Sequence, residues 1–239
     1  MIRITIWNEF RHEKHDEAIA KIYPRGLHAA LAQGIAMPDF QIRLACLDEP
    51  QHGLTEEVLR DTDVLIWWGH IAHDEVADEV AARVCRHVNA GMGAIFLHSA
   101  HHSKPFLMLL GTTGNLTWRE DGGNCRVWAV EPAHPVLQGV PAAIELPHEE
   151  MYGEPFDIPA PDELLTISWY KGGEVFRSGV TYKRGYGRVF YFQPGHEAYP
   201  TYYDPHILRV IQNAARWAQP VIRRPCVCVH REEPLEQLD

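Results

Sequence analysis

Three short clusters hold most of the side chains in this chain that could move protons or grip a cation. They are His98-Ser99-Ala100-His101-His102, His148-Glu149-Glu150-Met151-Tyr152-Gly153-Glu154 and Gly195-His196-Glu197-Ala198-Tyr199. Imidazoles beside carboxylates can ligate a divalent metal. Zinc wants three or four such ligands, with one position open where it is catalytic. His98, Glu150 and His196 are the metal-ligand candidates, with zinc as the candidate ion. The same groups could instead transfer protons, and His98, Ser99, His196 and Glu197 are the catalytic candidates. The spacing is not that of a His-Glu-x-x-His helix. Taken singly, a histidine is more often a hydrogen-bonded loop residue than a ligand. His98 and His196 stand apart because each follows a buried run.

Ser99 occupies the place of a nucleophile elbow, and His196 could be its base. The glycines of Gly-x-Ser-x-Gly are replaced here by Leu97 and His101. A packing role or a substrate hydrogen bond is the stronger reading of Ser99. Aromatic residues crowd the same segments: Trp7, Trp67, Trp68, Tyr152, Phe156, Tyr199, Tyr202 and Tyr203. Trp67 and Trp68 lie in an apolar run and read as core. Tyr152 and Tyr199 lie in polar loops, where a flat face with a hydroxyl tip suits a sugar or polyol. Asn8, Arg11, His12, His70 and His101 are the polar candidates for holding such a substrate.

The elements that must position these groups follow from periodicity. Ile2 to Trp7, Gln41 to Leu47, Asp63 to Trp68 and Gly93 to Leu97 read as strands, the last a continuous buried run. Between them lie helical segments. One runs from about Asp16, is restarted by Pro24 and is ended by Gly34. A second is capped by Thr55. A third is capped by Asp74, with Val76, Val80, Val84 and Val88 every four residues. Lys104 to Gly111 is a further helix closed by glycine. Strand and helix alternating in this way predict a doubly wound, mostly parallel α/β sheet. Its ligand-bearing loops then gather at the carboxyl edge of the strands. From about 112 to 192 helical periodicity is lost. Short strands and a hairpin, Glu174 to Lys183 with Gly187 to Phe192, predict an antiparallel extension of the same domain. Asp204 and Pro205 open a last helix, whose stripe runs from Ile207 to Trp217. A single domain over 1–218 and a loose tail over 219–239 are expected.

Composition narrows the class. The chain has 239 residues and a formal net charge of -10, with Lys and Arg scattered, so nucleic acid is not expected as a partner. No apolar run is long enough to span a bilayer, and the first residues enter a strand without a signal-peptide pattern. Five cysteines without a scaffold spacing predict a reducing, cytoplasmic setting. Fifteen histidines are the compositional outlier.

Five stretches together resemble the ThuA-like (trehalose utilisation) family across about residues 2 to 218. They are Trp7 to His12, Trp67 to Asp74, Leu97 to His101, Glu149 to Glu154 and Pro194 to Tyr202. The resemblance implies a flavodoxin-like domain similar to class I glutamine amidotransferases. It also implies that Ser99 stands at the elbow where those enzymes carry cysteine, so that glutamine hydrolysis is not expected. Further, it implies a role in disaccharide catabolism, on trehalose-like sugars or their 3-keto derivatives. A metal-assisted isomerase or lyase acting beside a ketone makes physical sense for the convergent His98, Glu150 and His196. A hydrolase using Ser99 and His196, and a non-catalytic sugar-binding or regulatory module, are the competing expectations. A small sugar is the expected partner, together with self-association into a homo-oligomer.

Overall fold

The computed structural model describes residues 1–237. Eleven strands are formed: β1 (Ile2–Asn8), β2 (Phe40–Cys46), β3 (Val64–Trp68), β4 (Gly93–Leu97), β5 (Thr117–Arg119), β6 (Cys125–Ala129), β7 (Ala143–Leu146), β8 (Met151–Gly153), β9 (Glu163–Tyr170), β10 (Val175–Arg184) and β11 (Gly187–Phe192). The helices are α1 (His12–His15), α2 (Glu17–Ile22), α3 (Leu27–Gly34), α4 (Glu56–Arg60), α5 (Asp78–Asn89), α6 (Lys104–Leu110) and α7 (Pro205–Ala218).

Nine strands make one sheet in the order β2-β1-β3-β4-β11-β10-β9-β6-β7, and β5 pairs with β8 apart from it. The first five run parallel. Parallel strands need helices over both faces, and this is why β3 and β4 are unbroken apolar runs buried at every residue. β2, at the edge, alternates instead and leaves Leu44 40% exposed. The chain passes from β1 outward to β2 and then back across to β3. The loops after β1 and β3 therefore part at a switch point, the place where open α/β sheets form a crevice. With right-handed crossovers the two directions put α3 and α5 on opposite faces. The stripe of α5 buries Val80, Val84 and Val88, and that of α7 buries Ile207, Val210, Ile211 and Ala214.

The hairpin of β10 and β11 is present, but its second strand is not part of the antiparallel extension. β11 lies parallel to β4, with Phe190 opposite Ile95 and Phe192 opposite Leu97. Its run from Val189 to Phe192 is apolar on both faces and fully buried, so it belongs to the central layer. The antiparallel part is β10-β9-β6-β7.

Other expectations need correction. Pro24 does not restart a helix. It lies in the turn after Tyr23, and α3 begins at Leu27 behind Gly26, whose φ of 88° is one that glycine adopts freely. Asp74 does not cap α5. A single turn, His73–Glu75, intervenes, and Val76 is buried beneath it. The tail is also held further than 218. Arg224 N donates to the Ala90 carbonyl at 3.0 Å, and the Arg223 guanidinium meets Asp63 Oδ1 at 3.1 Å. From Pro225 to 237 the tail is exposed, and its last two residues lie outside the described residues. Among the described residues no helix is long and apolar enough to cross a membrane.

Ile66 sits fully buried in the middle of β3. Ile66→Ala is expected to lower the unfolding free energy by about 2–5 kcal/mol, whereas Leu44→Ala on the edge should change it by less than about 1 kcal/mol. Urea unfolding of the two variants beside the parent checks this contrast.

Candidate functional site

Four neighbouring strands each deliver one histidine to the same rim. His12 follows β1, His70 follows β3, His98 follows β4 and His196 follows β11. Their rings lie close together, with centroids 5.0 Å apart for His12 and His70, 5.7 Å for His70 and His98, and 5.3 Å for His98 and His196. Two carboxylates enter the group: Glu150, just before β8, and Glu197, beside His196.

Two other buried glutamates hold the loops in place. Glu9 accepts the backbone N–H groups of His70 at 2.7 Å, Ile71 at 2.9 Å and Ala72 at 3.0 Å. Glu149 accepts those of Gly195 at 3.0 Å and His196 at 3.1 Å, and the Thr201 hydroxyl at 3.0 Å. A loop whose N–H groups bond a buried carboxylate has few alternatives, because leaving those donors unpaired costs about 1–3 kcal/mol each. Gly195 is needed where it stands. Its φ is 142°, and a Cβ there would lie 1.9 Å from the Tyr202 hydroxyl oxygen. Trp68 Nε1 donates to the Gly195 carbonyl at 3.1 Å from the far side.

His98 is the strained residue of the site, with φ 52° directly after β4. The sharp turn out of β4 is thus made at His98, not at Ser99. The His98 Nδ1–H donates to the Gln193 carbonyl at 3.0 Å, which leaves Nε2 facing Glu150. Nε2 lies 3.0 Å from Glu150 Oε2, yet out of line for a hydrogen bond, and that oxygen is buried with no hydrogen-bond partner. His196 Nε2 lies 3.9 Å from the same oxygen and 3.1 Å from Glu120 Oε1. Burial alone would push the His98 imidazole down. The adjoining Glu150, with Glu149 and Glu197 beyond, reverses this and raises it to about 9. Burial lowers His196, and the neighbouring His98 lowers it further. Burial works to raise Glu197, but the hydrogen bond from His70 together with the nearby imidazoles of His70, His196 and His12 outweighs it and holds the acid well below its usual range.

The remaining candidates divide by what they touch. Tyr152 stacks on His98, with centroids 5.1 Å apart, and is itself buried. The Ser99 hydroxyl bonds that of Tyr152 at 2.7 Å, and His196 is not among its partners. His101 is buried below the rim, where its Nδ1–H donates to the Gly114 carbonyl at 2.8 Å, and burial holds its pKa well down. Asn8 is buried and ties Glu13 and His28 to the end of β1. Arg11 turns outward and bridges Asp48 at 2.8 Å and Glu75 at 2.6 Å. Tyr199 stands partly exposed beside His196 at the mouth. Glu120 and Gln193 were not expected at the site, and Glu9 and Glu149, which lie in stretches read as site loops, serve it as clamps. That position is the one local signal for the two clamps. Glu120 comes from a segment with no pattern.

The fold is of the flavodoxin-like α/β type shared with class I glutamine amidotransferases, and the strained residue after β4 is here a histidine. The chain belongs to the ThuA family, described as trehalose utilisation, whose model matches residues 3–218. A protein described as ThuA-like from Parabacteroides merdae superposes with a TM-score of 0.66 at 16% identity, over 94% of this chain and 93% of its own. A cytoplasmic protein from Salmonella typhimurium LT2 does so with 0.61 at 12%, over 91% and 100%. A protein from Thermoplasma acidophilum described as belonging to a GMP synthase gives 0.50 at 14%, over 91% and 95%. At these identities the likeness is one of fold. None of the curated proteins matches this sequence.

Glu149→Gln puts an amide NH2 against backbone N–H donors. It is expected to cost about 1–3 kcal/mol, read by urea unfolding. A cost below about 0.5 kcal/mol would show that the Gly195–His196 loop does not depend on this clamp.

Proposed function

We propose that this protein is a cation-assisted enzyme of isomerase or lyase type, acting on a disaccharide or its 3-keto derivative. The observation that carries the reading is the convergence of His98, Glu150 and His196 from three distant segments on one buried point. The family's description supplies the substrate class.

The donor set suits a divalent ion. His98 presents Nε2 with its Nδ1–H already committed, and Glu150 Oε2 is a buried oxygen without a hydrogen bond. His196 fits less closely. Its Nδ1 accepts the Ala198 N–H at 3.2 Å, which puts the ring proton on Nε2, so ligation there requires the other tautomer. A bound divalent cation would polarise a sugar carbonyl. The protein's own groups do the rest. His12, His70 and Tyr199 are the half-buried groups beside the buried set, and Tyr199 offers a hydroxyl to a sugar. Glu120 is outside the buried set, with its side chain 54% exposed beside His196, and in this reading it accepts a proton from the carbon next to the ketone. Such a proton transfer begins either an isomerisation or an elimination. Ser99 is not assigned as a nucleophile, because its hydroxyl is engaged by Tyr152.

By elemental analysis, purified protein is expected to hold divalent metal whose content falls by one equivalent in His98→Ala and in Glu150→Gln, and by less in His196→Ala. With a 3-keto-disaccharide in deuterated water, the proton beside the ketone should exchange. Glu120→Gln should slow that exchange at least about 100-fold with metal content unchanged. A metal content left unchanged by the His98 and Glu150 substitutions would remove the assignment. Tight sugar binding without exchange or turnover would make the protein a binding module.

A further inference from the structure

We infer that the rim holds two divalent cations side by side, the second bound by His12, His70 and Glu197. This builds on the reading of His98, Glu150 and His196 as ligands of the first.

The second set is the tighter one. His12 Nε2 and His70 Nδ1 are 3.1 Å apart, His70 Nδ1 and Glu197 Oε1 are 3.1 Å apart, and His12 Nε2 and Glu197 Oε1 are 3.4 Å apart. Atoms about 2.1 Å from a common ion stand about 3.0 Å apart at octahedral angles and about 3.4 Å at tetrahedral ones. The triangle therefore has the size of one face of a coordination shell made of two imidazoles and a carboxylate. Hydrogen bonding satisfies it poorly, because His70 Nδ1 has one position for a proton and two neighbours at 3.1 Å. Glu197 is 3% exposed, and its Oε2 has no hydrogen-bond partner.

Charge points the same way. Glu9, Glu149, Glu150 and Glu197 are all buried within this small volume. Among the described residues no Lys or Arg forms an ion pair with any of them, and their only ionic neighbours are histidines. Buried carboxylates are paired or bound to metal. Glu9 and Glu149 are satisfied by backbone N–H groups, whereas Glu150 and Glu197 each keep an oxygen without a hydrogen-bond partner, one carboxylate for each ion. Glu197 also links the two sets, its Oε1 lying 3.7 Å from His196 Nε2. Paired cations in hydrolytic and transferring enzymes stand about 3.5–4 Å apart, a spacing suited to neighbouring oxygens of a keto-sugar.

The test is equilibrium dialysis of the metal-stripped full chain against Co2+, with visible absorption as a second readout. Two equivalents are expected for the parent and one for His12→Gln and for Glu197→Gln, each keeping the absorption of the His98 ion. His12 is less buried than Glu197, so His12→Gln carries the test if Glu197→Gln fails to fold. One equivalent in the parent that is lost in His98→Ala but kept in His12→Gln overturns the second ion and leaves the proposed function standing. A single ion lost in both variants also overturns it, as does a pair that survives both rim substitutions. No bound metal in the parent would end both readings.

Discussion

A buried carboxylate that collects backbone N–H groups is the constraint on which this structure turns. It is used twice, by Glu9 for the loop after β3 and by Glu149 for the loop after β11. Neither glutamate is among the residues that converge on the rim. Each fixes a peptide segment from which a histidine projects. Rigid strands bring the loops to within reach of each other, but the carboxylates decide where His70 and His196 point. Without them the same strands would carry two mobile loops, and groups placed by mobile loops lose the sub-ångström order that chemistry requires.

Arranging the site this way has an electrostatic cost. Four acids are withdrawn from water in a region whose Lys and Arg face elsewhere, and Arg11, the nearest arginine in sequence, turns out toward Asp48 and Glu75. The imidazoles respond according to position. His98, pressed against Glu150, is pulled upward, whereas burial drives His101 below it well down. Neighbouring histidines in one short turn are thus shifted in opposite directions. One faces the acids, while the other supports the turn from within the core.

Much of this architecture is legible in the residues. Val64 to Trp68 and Gly93 to Leu97 can only be strands covered on both faces, and polar residues directly after such runs mark the carboxyl edge. His98 and His196 stand out on that basis, Glu150 only through its acidic cluster ahead of β8, and the family through five separate motifs. Local pattern fails where tertiary contacts decide. Asp74 has the form of a helix cap, but the buried Val76 anchors a separate turn ahead of α5. β11 reads as the return arm of a hairpin, yet it pairs on its other side with β4, a partner about a hundred residues earlier. Ser99 matches an elbow by position, though the left-handed turn falls one residue earlier. Arg11 reads as a substrate ligand because it is cationic and near the edge, and only coordinates reveal the two acids it bridges. Glu120 comes from a stretch without periodicity, so nothing local could assign it.

The histidines of the rim come one from each of four strands scattered along the chain. No partial structure therefore contains the binding place. A ligand gripping all of them has no counterpart to hold in an unfolded or half-assembled chain, so its capture follows closure of the central sheet. Any such ligand acts as a latch on the finished fold. At a hundredfold excess over its dissociation constant it would add about 2.7 kcal/mol to stability. Cellular supply of that ligand would then govern how long the folded protein lasts as well as what it does.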